Sequence, residues 1–189
     1  MRIIGGQHRG TVLADVGAGD LAAHLRPTTD RVRESLFNVL QGGRFGQPIH
    51  DKTVLDLFAG TGALGLEALS RGARRVTFVE NGAAGAKLIH DNIAKLKRRK
   101  DAAVLKVDAT RICMANKDDC ADLVFLDPPY GKGLGQLALA ASLEGGWINH
   151  GALIVWEDNM PQVPPRGFGL LEHRKYGSSH VTLMTANDT

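Results

Sequence analysis

Apolar residues are gathered along this chain in short unbroken runs, separated by segments where they recur every three or four positions. Residues 53–57 (Thr-Val-Leu-Asp-Leu), 75–79, 103–107, 122–126 and 152–156 are such runs. Unbroken apolar runs of this length predict strands covered on both faces. Helical spacing is expected over residues 64–70 and 83–96. Strand alternating with helix predicts βαβ units and a mostly parallel sheet sandwiched between helices. The chain's end breaks the rule. Residues 169–176 and 180–184 are separated only by Gly177-Ser178-Ser179, which predicts a hairpin and an antiparallel last strand. Ahead of the alternating region, Ile3-Ile4 and Thr11-Val12-Leu13 flank a Gly/His/Arg turn and predict a small β-hairpin. Pro27 then opens a helix, with Thr29 or Asp30 as cap and Val32, Leu36, Phe37, Val39 and Leu40 on its apolar face. The expected organisation is a hairpin extension over residues 1–25 and one α/β domain over 26–189.

Composition narrows the class. A chain of 189 residues with 43% hydrophobic residues suits one globular domain that needs no staples. Cys113 and Cys120 lie in no metal-binding spacing and read as reduced thiols. The start, Met1-Arg2-Ile3-Ile4-Gly5-Gly6, has no apolar signal-peptide run. No stretch approaches the roughly 18 apolar residues of a membrane span. A cytoplasmic protein is expected. A formal net charge of +3 permits a nucleic-acid partner without requiring one. The basic residues are concentrated at Arg26, Arg31 and Arg33, and at Lys95, Lys97, Arg98, Arg99 and Lys100.

Two motifs carry chemistry. After the first strand, Asp56-Leu57-Phe58-Ala59-Gly60-Thr61-Gly62-Ala63-Leu64-Gly65 places Gly60, Gly62 and Gly65 in the spacing of a nucleoside-binding loop between strand and helix. Glu80, ending the second strand, stands where an acid receives ribose hydroxyls. In dinucleotide enzymes this loop faces a pyrophosphate, which favours helix N–H dipoles and no nearby anion. Asp56 would repel a pyrophosphate and attract an ammonium. S-adenosylmethionine carries an ammonium and a sulfonium and has no phosphate, so Asp56 favours a methyl donor. The plainer role for Asp56 is capping a turn. Asp108, after the third strand, could accept from an adenine amino group or simply cap the next helix.

The fourth strand runs into Asp127-Pro128-Pro129-Tyr130-Gly131. Two prolines stiffen this corner and fix the Asp127 carboxylate and the Pro128 carbonyl as acceptors on one rim. Tyr130 supplies a flat ring. The set suits an aromatic base bearing an NH2 group, stacked on the ring at about 1–3 kcal/mol. Two acceptors draw electron density onto a poorly nucleophilic nitrogen and aim it at an incoming methyl group. The chemistry needs no metal.

These two motifs look like those of the class I methyltransferases that act on amino groups of nucleic-acid bases. Arg26-Pro27-Thr28-Thr29-Asp30-Arg31-Val32-Arg33-Glu34-Ser35-Leu36-Phe37-Asn38 strongly resembles a segment of the RsmD family, bacterial 16S rRNA guanine-N2 methyltransferases. So do Leu55–Gly62 and Arg2-Ile3-Ile4-Gly5-Gly6, with His8-Arg9-Gly10 close to the usual pattern. The resemblance implies a Rossmann-like sheet of seven strands. It implies Asp56, Glu80 and Asp108 at the methionine end, ribose and adenine of S-adenosylmethionine. Further cofactor contacts are then expected from Phe58, Ala59, Gly60, Thr61, Gly62, Asn81, Ala109 and Thr28. The target guanine would lie at Asp127, Pro128, Pro129 and Tyr130. The partner implied is 16S rRNA, in the small ribosomal subunit or its precursor, met by a monomer. Glu80-Asn81-Gly82 departs from the usual Glu-x-Asp/Ser helix start.

The expected RNA contacts are His8, Arg9, Arg26, Arg31 and Arg33; the alternative for Arg31 and Arg33 is a solvated helix face. The basic residues between 95 and 100 read as a solvated helix end. Three other functions stay open on residues alone: an adenine-N6 methyltransferase, an NAD-dependent oxidoreductase, and a non-catalytic RNA-binding module.

Overall fold

The computed structural model describes residues 1–14 and 30–187. The elements run α1 (Asp30–Gln41), β1 (Thr53–Leu57), α2 (Ala63–Ser70), β2 (Arg75–Val79), α3 (Ala83–Lys95), β3 (Ala102–Leu105), β4 (Ala121–Leu126), α4 (Leu134–Glu144), β5 (Ile148–Asp158), β6 (Phe168–Tyr176) and β7 (Ser179–Ala186). The apolar runs pair into one seven-stranded sheet of order β3-β2-β1-β4-β5-β7-β6. Strands β3, β2, β1, β4 and β5 pair in parallel, and β7 is antiparallel to both β5 and β6. This is the expected Rossmann-like sheet.

Strand alternation sorts the side chains into two cores. Val54, Phe125, Val155 and Leu183 meet α1, α2 and α3 on one face. Leu55, Leu57, Leu126, Ile154 and Trp156 meet Ala138 and Leu139 of α4 on the other. The alternation puts Asp56 on the first face, beside Val54.

The elements depart from the pattern in several places. The third strand stops at Leu105, the last residue paired with β2, opposite Val79. The fifth strand reaches Asp158, two residues past its apolar run. Helix α4 was not expected, because its buried stripe holds one large apolar residue, Leu139, among Gly135, Ala138 and Ser142, while Leu137 is exposed.

The N-terminal pieces do pair. Arg2 and Val12 form an antiparallel bridge, with Ile3 N donating to Thr11 O and Gly10 N to Ile3 O, both at 2.9 Å. Ile3 and Leu13 enter the first core. The proposed domain boundary, Pro27 and Thr29 lie outside the described residues.

Arg33 requires a correction. Its side chain is 0% exposed and cannot reach RNA. Its guanidinium donates to Asp30 Oδ1 at 2.9 Å and to the Arg2 carbonyl, and lies 3.8 Å from Glu67 Oε2. Arg33 falls one turn before Leu36 and Phe37 and two before Leu40, on the buried stripe of α1. A cation there needs partners, and the N-terminal arm and α2 supply them.

Candidate active site

Strand register brings the two motifs together. β1 and β4 are neighbours, with Leu57 opposite Leu126. The glycine loop and the proline corner therefore leave adjacent strand ends, at the carboxyl edge of the sheet, where open α/β sheets bind ligands. The loop turns through left-handed backbone at Phe58 (φ 58°), Gly60 (φ 57°) and Gly62 (φ 78°). Holding a phenylalanine there costs on the order of 1–3 kcal/mol. It is held by Ala59 N donating to Val79 O at 3.0 Å and Gly62 N to Ala59 O at 2.7 Å. Gly65 serves packing: a Cβ on it would stand 2.4 Å from the Phe78 ring.

The acids beneath the loop are bound into it. Asp56 is 2% exposed, and its Oδ2 accepts from Gly65 N at 2.9 Å. Burial pushes its carboxyl up to about 8, against the pull of the Gly65 N–H and with a push from the Glu80 charge. Glu80 Oε2 accepts from Gly60 N at 2.8 Å and Oε1 from Gly82 N at 2.6 Å. Two backbone donors thus orient that carboxylate, and each oxygen keeps a second lone pair for a ribose hydroxyl. Asn81 is exposed beside it. Asp108 Oδ1 caps the turn at Ala109–Arg111, accepting from Thr110 N at 2.9 Å and Thr110 Oγ1 at 2.8 Å; these bonds hold its carboxyl below the usual range. Ala109 is buried under that turn. Thr61 is buried, its hydroxyl 3.7 Å from Met1 Sδ. Thr28 lies outside the described residues.

At the corner Pro128 is buried, Pro129 is exposed, and Asp127 and Tyr130 are half-buried. Burial raises Asp127 well above the usual carboxylate range, reinforced by the charges of Glu157, Asp56 and Asp158. Burial also raises Tyr130, with a further push from the Asp127 charge and against the pull of Ser179. Glu157 and Asp158, both 6% exposed, and Ser179 were not singled out from the sequence. The signal for the two acids was present: they directly follow the apolar run of β5 at a carboxyl strand end.

The expected RNA contacts do not form one patch. Gln7 N and His8 N donate to the Ser70 carbonyl and hydroxyl, at 2.7 and 2.9 Å. The turn bearing half-buried His8 and exposed Arg9 is therefore at the end of α2 remote from the glycine loop. Helix α1 runs alongside α2 in the same direction, Arg33 beside Glu67 and Gln41 bonded to Arg71. Exposed Arg31 is thus at the end nearer the loop. Arg26 lies outside the described residues.

Sheet order, glycine loop, strand-end acid and proline corner together define a Rossmann-like fold of the class I methyltransferase type. The model of the family described as conserved hypothetical protein 95 matches residues 1–185, and the chain belongs to that family, the one its sequence resembles. The ribosomal RNA small subunit methyltransferase D of Escherichia coli (strain K12) is 41% identical over 168 residues, covering 87% of this chain and 79% of that protein. The protein of the same name from Haemophilus influenzae is 35% identical over 181 residues, covering 94% and 89%. A solved Escherichia coli structure named as the methyltransferase yhhF matches with a TM-score of 0.82 at 38% identity, over 100% of this chain and 99% of that one.

Proposed function

We propose that this protein transfers a methyl group from S-adenosylmethionine to the exocyclic N2 amino group of a guanine in small-subunit rRNA. The observation that carries the reading is the adjacency of the glycine loop and the Asp-Pro-Pro-Tyr corner, with carboxyl groups at their junction. The Glu80 charge opposes a pyrophosphate, while the buried Asp56 and Asp127, both raised in the free protein, gain from a cationic ligand that favours their ionised forms. That donor set fits an ammonium-bearing nucleoside. Asp56 would hold its methionine end, Glu80 the ribose and Asp108 the adenine. Bound there, the sulfonium offers a methyl carbon whose leaving group is a neutral thioether. Asp127 and the Pro128 carbonyl accept the two amino hydrogens, and the Tyr130 ring supports the base. As the N–C bond forms, nitrogen must shed one proton. An Asp127 carboxyl held above its usual range, once ionised, is a competent acceptor for it. The names of the relatives, which modify small-subunit rRNA, agree with this substrate.

The test is mass spectrometry of nucleosides from unmodified small subunits incubated with the protein and S-adenosylmethionine. N2-methylguanosine is expected, and Asp127→Ala is expected to abolish it while cofactor binding by dialysis persists. N6-methyladenosine in its place, or tight NADH binding without the methyl donor, would overturn the reading.

A further inference from the structure

We propose that Glu157 is the residue that makes this site read guanine, its carboxylate accepting the N1–H while Asp127 accepts from the neighbouring N2 amino group. The inference rests on the guanine reading above and adds a residue to it. Strands β4 and β5 pair through Phe125 with Val155 and Leu126 with Trp156. The next residues on the two strands are Asp127 and Glu157. Alternation carries both toward the face of Phe125 and Val155, the face that also receives Asp56. Glu157 is 6% exposed, so its acid is withdrawn from bulk water at the strand tip beside the proline corner. Among the charges acting on Asp127, that of Glu157 is the largest. Asp158 is the weaker candidate. Alternation sends it toward the face of Trp156, away from Asp127 and Asp56.

The chemistry of the bases turns this juxtaposition into specificity. Guanine presents N1–H and N2–H2 side by side, two donor groups on one edge. Adenine presents N6–H2 beside N1, and cytosine N4–H2 beside N3; in both, the second atom carries a lone pair. Two adjacent carboxyl oxygens match the first edge and oppose the other two. A buried acceptor left facing a lone pair is unsatisfied, which is the situation in which a polar site rejects an analogue most strongly.

The test uses 2-aminopurine, which keeps the N2 amino group but has a lone pair at N1. The target guanine, once mapped by primer extension, is replaced by 2-aminopurine in reconstituted small subunits, and kcat/KM is measured on both substrates. The wild-type protein is expected to favour guanine by about 100-fold or more. Glu157→Gln can turn its amide NH2 toward N1. It is expected to lose at least about 10-fold on guanine and gain on 2-aminopurine, collapsing the ratio toward one. Loss of both activities by one factor, or of neither, would overturn the proposal, because a structural role moves both substrates together. A wild-type ratio near one overturns it without any variant. If the wild-type protein forms no N2-methylguanosine, the guanine reading itself falls, a result distinct from N2-methylation without discrimination.

Discussion

Burial holds the Asp56 carboxyl at about 8, so the free protein keeps it largely protonated at neutral pH. In the unfolded chain the same group titrates near the ordinary aspartate value of 3.8. The folded value is raised. The associated stability is therefore fully present below about 3.8 and is lost as pH rises through about 8. Asp56→Asn keeps an oxygen for the Gly65 N–H and removes the titration. In urea unfolding, the variant should gain on the wild type between about pH 4 and pH 8, by on the order of a few kcal/mol. Parallel stability profiles would show that Asp56 is ionised in the fold. The same residue shows how far sequence reaches. An acid inside Thr-Val-Leu-Asp-Leu was legible as important, and its bond to Gly65 agrees with the plainer capping role named for it. Its depth was not legible, because only the assembled loop covers it. For Arg33 the sign was readable in retrospect: its spacing to Leu36, Phe37 and Leu40 is helical, but charge alone suggested solvent or RNA.

Helix α2 organises more than the glycine loop. Glu67, 0% exposed, accepts from Ile4 N and Gly5 N at 2.8 Å each and from Arg71 Nε at 2.7 Å, with Arg33 close by. One buried carboxylate thus ties the N-terminal arm, α1 and α2 into a unit. Glu67→Ala would strand two backbone donors and leave the buried Arg33 with less compensation. The expected cost is about 3–5 kcal/mol, which at this size lowers Tm by roughly 6–20 °C. Calorimetry checks the magnitude. Hydrogen exchange checks the cause, since the Ile4 and Gly5 amides should lose protection ahead of the β1 and β4 amides. Uniform loss would mean that Glu67 supports the fold without specifically tethering the arm. At this scale the strands and the first three helices were readable from apolar spacing. Helix α4 was not, because its buried stripe is Gly135, packed on Trp156, with Ala138, Ser142 and a single large apolar residue, Leu139, and period arguments weigh large apolar residues. The extension of β5 was hidden for the converse reason. Its last two residues are acids, and acids at a strand end read as loop until neighbouring strands show that they are covered.

Across the whole molecule the question is which basic residues meet a polyanion, since a net charge of +3 does not select a face. Topology separates the candidates. Lys97, Arg99 and Lys100 follow α3 and precede β3, which puts them at the amino edge of the sheet, opposite the proline corner. Two other members of that cluster are already engaged: Lys95 bonds the Val12 carbonyl, and Arg98 bonds Asp101 and the carbonyls of Leu69 and Ala73. Arg31 is exposed at the end of α1 that points toward the carboxyl edge, the same edge as the site. Arg31 is therefore an exposed basic residue placed on the site's own edge, where a phosphate of an rRNA bound at Asp127 would be met. Each lost phosphate contact weakens binding and reduces the slope of log affinity against log salt by about 1. Arg31→Gln should therefore bind a small-subunit rRNA fragment more weakly, with the slope shallower by about 1. Lys97→Gln with Lys100→Gln should leave that slope unchanged. Titrating binding over a range of KCl concentrations reads both. If the slope changed only for the Lys97 and Lys100 pair, the RNA would have to cross the amino edge, and a base flipped into the proline corner would no longer be the natural geometry.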